Sequence, residues 1–94
     1  MLQRITSLTN IYCYCLFDGR GRFHGAYSSV NAIHRDAVKL CNQGTAKVVM
    51  EHNGEGHSPT PTLLRNTLKG AIDVQVIYAA GYHEARIIKT NLKE

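Results

Sequence analysis

The chain has no apolar run approaching the ~20 residues of a membrane-spanning helix; its densest apolar stretch, Ile11 to Phe17, is far shorter. Residues 1 to 9 carry Arg4 and several polar side chains where a secretory signal would be continuously apolar, so a reducing, cytoplasmic setting is expected. Acidic residues are scarce. The seven Asp and Glu are mostly single and near turns or helix faces, and they offer no pair to prefer as general acid and base. No Ser, His and Asp can be singled out as a triad either, because triads are recognised by geometry and not by sequence position. There is no internal repeat, no linker and no segment poor enough in apolar residues to be called disordered.

Cysteine is limited to three residues, an odd count. Cys13 and Cys15 stand at i and i+2, about 6.6 Å apart along a strand with parallel Cβ vectors, which strains a disulfide between them. The cysteines are therefore expected as small buried hydrophobes. A C-x-C pair without a second pair is weak evidence for zinc, and His52, Glu55, His57 and His83 sit on or near turns that would not hold ligands convergent. No metal or cofactor is expected.

What is present is the balance of one globular domain spanning residues 1–94, with 44% hydrophobic and 19% charged residues, order expected from Thr9 to Thr90, and loosely ordered ends at 1–9 and 91–94. Ile11 to Phe17 alternates Ile11, Cys13, Cys15 and Phe17 against Tyr12, Tyr14 and Leu16. Both faces are apolar, as in a central strand with helices on one side and the tyrosine face either covered or presented to a partner. Asp18-Gly19-Arg20-Gly21 is turn chemistry, and a second strand follows to Tyr27, with Gly25 marking a bulge or a close approach. Ser28 or Ser29 caps a helix with an apolar stripe of Val30, Ile33, Ala37, Leu40 and Cys41. Asn31, His34, Arg35, Lys39 and Asn42 face outward, and Gly44 is expected to end the helix.

Ala46 to Glu51 reads as a short strand, and His52 to Ser58 as the longest irregular loop. Its glycines precede a helix start, but Pro61 removes a donor, no Lys-Ser or Lys-Thr follows and Glu55 repels phosphate, so it is a poor match to a nucleotide loop. Thr60 caps a helix with Pro61 at its first position; Leu64, Leu68 and Leu63 face inward, Arg65 and Lys69 outward. Ala71 to Ala79 and His83 to Thr90 form a closing hairpin, with Ile72, Val74, Val76 and Tyr78 on one face. The expected fold is α+β in the order ββαβαββ, a mostly antiparallel sheet with two short helices packed on one face.

Eleven Lys and Arg against seven acidic residues give a net charge of +4, which suits phosphate or an acidic protein surface. The candidate contacts are Arg20, Arg22 and His24 at the first turn, Arg35 and Lys39 on the first helix, and Arg65 and Lys69 on the second. Guanidinium forks bind phosphate bidentately, and Tyr12 and Tyr14 are candidate stacking residues beside them. The leading expectation is a non-enzymatic binding module for nucleic acid or for a protein machine that handles it, of the kind found among phage and mobile-element accessory or inhibitor proteins. A homodimer built through the tyrosine strand or an edge strand, serving as a structural subunit, is a further alternative.

The order strand with tyrosine, turn, strand ending Phe23-His24-Gly25, then a helix carrying Arg35 resembles the GIY-YIG nuclease module over Ile11 to Arg35. That resemblance implies a metal-dependent nuclease site with Tyr12, Gly25 and Arg35 in the matching positions and Glu51 as metal ligand. The carboxylates such chemistry needs are few in this chain.

Overall fold

The computed structural model describes residues 12–69 and 74–91. The first hairpin joins β1 (Tyr12–Asp18) to β2 (Phe23–Tyr27). Asp18 takes the N–H of Gly21 on its carbonyl at 2.9 Å and donates its own N–H to Arg22 at 3.0 Å, while Gly21 adopts φ +82°. That left-handed position completes a three-residue turn only glycine enters without strain. The expected irregularity at Gly25 is a register shift opposite Leu16 and Phe17, and a Cβ there would sit 3.2 Å from the Tyr27 ring.

Ser29 caps α1 (Val30–Cys41), its hydroxyl accepting from the N–H of Ala32 at 3.2 Å. The helix ends at Cys41 with Asn42 as its C-cap, ahead of the Gly44 expected to end it. The Asn42 N–H bonds Val38 O at 2.8 Å and the Gln43 amide bonds Leu40 O at 2.8 Å, so side-chain and cap bonds satisfy the last carbonyls instead. α2 (Pro61–Leu68) starts as its sequence predicts, Thr60 accepting from the N–H of Leu63 at 3.0 Å.

The strand expected over Ala46 to Glu51 is β3 (Val49–His52), and the segment expected as a loop after it turns through Asn53 and Gly54 into β4 (Glu55–His57), making a hairpin. Asn53 at φ 53° and Gly54 at φ 80° are the two left-handed residues of the tight turn that Asn-Gly favours. The observed order is thus ββαββαββ. β5 (Gln75–Ala80) and β6 (His83–Asn91) close the sheet, Gly81 supplying the positive φ of their two-residue turn. The expected inward position of Ile72 and the ends 1–9 and 92–94 lie outside the described residues.

All pairings are antiparallel, in one sheet of order β2-β1-β6-β5-β3-β4. The registers Tyr14↔Lys89, Leu16↔Ile87↔Val76 and Ala85↔Tyr78↔Met50 set one face of the sheet, and α1 and α2 bury it with Ile33, Ala37, Leu64 and Leu68. Burial of a side chain the size of Ile33, Leu64 or Leu68 contributes roughly 1.5–3 kcal/mol. The tyrosine side of β1 is therefore the covered one. Cys13, Cys15 and Phe17 lie on the opposite face, where neither helix packs among the described residues; both cysteines are half-buried, and only Cys41 is the buried small hydrophobe expected of all three.

Candidate binding band

Asp18 is the organising residue of the hairpin tip. Its Oδ1 accepts from the backbone N–H groups of Arg20 and Arg22, both at 2.9 Å, and its Oδ2 from Arg22 Nε at 2.9 Å with His24 Nε2 at 3.1 Å. These donors, led by the Arg22 N–H, hold its carboxyl well below the usual carboxylate range. The loop is rigidified around one buried charge, with Arg20 exposed and the rest of the Arg22 guanidinium projecting outward from a side chain 71% exposed.

A hollow of about 760 Å³ lies between this tip, the C-terminal end of α1 and the β5–β6 turn, where Tyr82 is fully exposed. A second of about 410 Å³ runs on between β2 and α1, and the two share His24, Leu40 and Gln43. Lys39 lines the second hollow, and so does Asp36, whose Oδ2 accepts from the Tyr27 hydroxyl at 2.6 Å and whose Oδ1 meets Arg35 Nε at 3.4 Å. The Tyr27 bond lowers the Asp36 pKa and pushes that of Tyr27 up to about 12. Beyond Lys39, the outward line of α1 continues through Arg35 to Asn31, which accepts from Arg65 Nη2 at 3.1 Å across the two helices.

Arg20, Arg22, His24, Lys39, Arg35 and Arg65 therefore follow one another along one side of the molecule, from the hairpin tip along α1 to α2. Lys69, at the C-cap of α2, is exposed at the far end of that helix. Tyr12 and Tyr14 do not join them. Both point to the helix side: Tyr14 packs against the core, and the Lys89 ammonium lies 4.2 Å from the centre of the Tyr12 ring. Lys89 itself is 5% exposed and donates to Leu68 O at 2.9 Å, capping α2 from beneath. In the sequence its burial is signalled by its alternation with Ala85 and Ile87.

The residues matched to the nuclease module are dispersed. Glu51, in register with Ile77 and through it with Arg86 and Phe17, is on the helix-free face, whereas Tyr12 and Gly25 belong to the other. His57 and Glu55 meet at 3.5 Å in β4, and among the described residues no three His, Cys, Asp or Glu side chains converge as metal ligands. Nor is any described helix long and apolar enough to cross a membrane. No protein-family model, curated protein or solved structure matches the chain.

Proposed function

We propose that the protein is a non-enzymatic binding module that docks on the phosphate backbone of a nucleic acid through the band running from Arg20 to Arg65. The observation that carries this reading is the fate of the carboxylates within the band. Asp18 and Asp36 are both taken up by internal hydrogen bonds, so the outward groups there are cationic. Glu84, on the far wall of the larger hollow, is engaged by Arg86 at 3.4 Å. Arg35 and Lys39 stand about 6 Å apart along the α1 axis, a spacing that lets both address one strand.

The test is the triple variant Arg20→Ala, Arg35→Ala, Lys39→Ala, which leaves the Asp18 and Tyr27 bonds in place. Its melting temperature should match the parent's, while affinity for a labelled oligonucleotide falls. On duplex DNA the slope of log K against log salt should lose about 0.9 for each phosphate contact removed. Unchanged affinity and slope would overturn the proposal, and weak salt dependence in the parent would point to a protein partner.

A further inference from the structure

The helix-free face carries a feature independent of the basic band, on the other side of the sheet. Cys13 and Cys15 have their Sγ atoms 3.9 Å apart, one thiol donating to the other. Their neighbours across the strands are small or aliphatic: Thr90 beside Cys13, Ile88 and Ala26 beside Cys15. Both thiols are half-buried and free, and no described helix lies over them. Cys41 is the contrast. It is 1% exposed, its thiol donates to Tyr78 O at 3.3 Å, and burial pushes its pKa up to about 11, so it serves packing alone.

Two thiolates bound at about 2.3 Å to one tetrahedral ion stand about 3.8 Å apart. The sulfurs of Cys13 and Cys15 are already at that separation. A direct bond would instead need Cβ atoms within about 4.5 Å, against a strand spacing of about 6.6 Å. The pair is thus better arranged to take an ion between its sulfurs than to bond to itself. Thiolate softness selects zinc and its thiophilic relatives over magnesium or calcium.

We infer that Cys13 and Cys15 form a dithiol site for a thiophilic d¹⁰ cation, zinc being the type, with the remaining coordination positions open on the helix-free face to water or an outside ligand. Binding replaces the two thiol protons, which pass to solvent, so affinity rises with pH. Among the described residues no third side chain completes the site, which makes it an open site and not a closed structural one.

The experiment titrates the fully reduced protein with cadmium, read by thiolate-to-metal charge-transfer absorption, and with zinc against a chromophoric chelator. One equivalent per chain is expected, with two protons released. Cys13→Ser and Cys15→Ser singly should weaken binding, and the double variant, which retains Cys41, should lose the band; circular dichroism checks that each remains folded. Absence of the band in the parent, or its persistence in the folded double variant, would overturn the inference.

Discussion

At the scale of single residues, Asp18 and Asp36 show carboxylates put to structural use. Asp18 is the clearest: one side chain gathers two backbone N–H groups, a guanidinium and an imidazole, and the hairpin tip closes around it. Its folded pKa is depressed below the ~3.9 of an unfolded chain, so its contribution to stability is complete above that value and is lost as the pH falls through the folded pKa. Asp18→Asn should lower the urea midpoint at neutral pH, and the deficit should shrink as the pH drops below about 4. Urea denaturation at several acidic pH values tests this, and parallel curves for parent and variant would contradict it. The aspartate's turn role is plain from Asp-Gly-Arg-Gly. Its hold on His24 is not, because that contact depends on the register shift in β2, which brings the imidazole to the core side.

At the scale of elements, the helix N-caps and the Asp-Gly-Arg-Gly turn are legible in the sequence, whereas the end of α1, the β3–β4 hairpin and the burial of polar groups are not. Both helix starts follow from Ser29, Thr60 and Pro61, since N-caps act within three residues of the chain. The β3–β4 hairpin is hard to read from sequence although Asn53-Gly54 is a strong turn signal, because β4 is three exposed residues, Glu-Gly-His, with no apolar alternation to mark a strand. His34 reads as an outward residue of α1, yet its Nδ1 lies 2.7 Å from the hydroxyl of Tyr78, a fully buried residue 44 positions on. Only the tertiary fold brings that pair together. Burial lowers the His34 pKa, so the unfolded chain binds the proton more tightly and this contribution is present above the unfolded value of about 6.5 and lost as the pH falls through the lower folded value. His34→Gln should therefore flatten the pH dependence of the melting temperature between about pH 7 and 5. An unaltered dependence in that range would show that other groups set it. Tyr78→Phe, which removes only the hydroxyl, should cost about 1 kcal/mol in chemical denaturation.

At the scale of the whole molecule, one sheet separates two unlike surfaces, a helical layer bearing the basic band and a face bearing the dithiol over which no described helix packs. The helices bury Leu16, Ile87, Val76 and Tyr78 from one side only, so stability is concentrated where strands have neighbours on both edges and the core above them. β6, at the centre between β1 and β5, meets that description best, and β1 and β5, each also paired on both edges, come next. β4 is an edge of three exposed residues held by β3 alone, and β2 is the opposite edge, with Phe23 60% exposed. Local opening costs least where few buried contacts break, so amide hydrogen exchange should be slowest in β6 and the facing residues of β1 and β5, faster in β2 and fastest in β4. The same measurement reports on association. Because the outer N–H groups of β2 have no strand beside them among the described residues, they should exchange quickly at low protein concentration. If a second copy adds its strand to that edge, their protection must rise with concentration while that of β6 stays at the global limit. Concentration-independent exchange throughout, with β2 fast, is the outcome expected of a monomer whose contacts lie on the helical side.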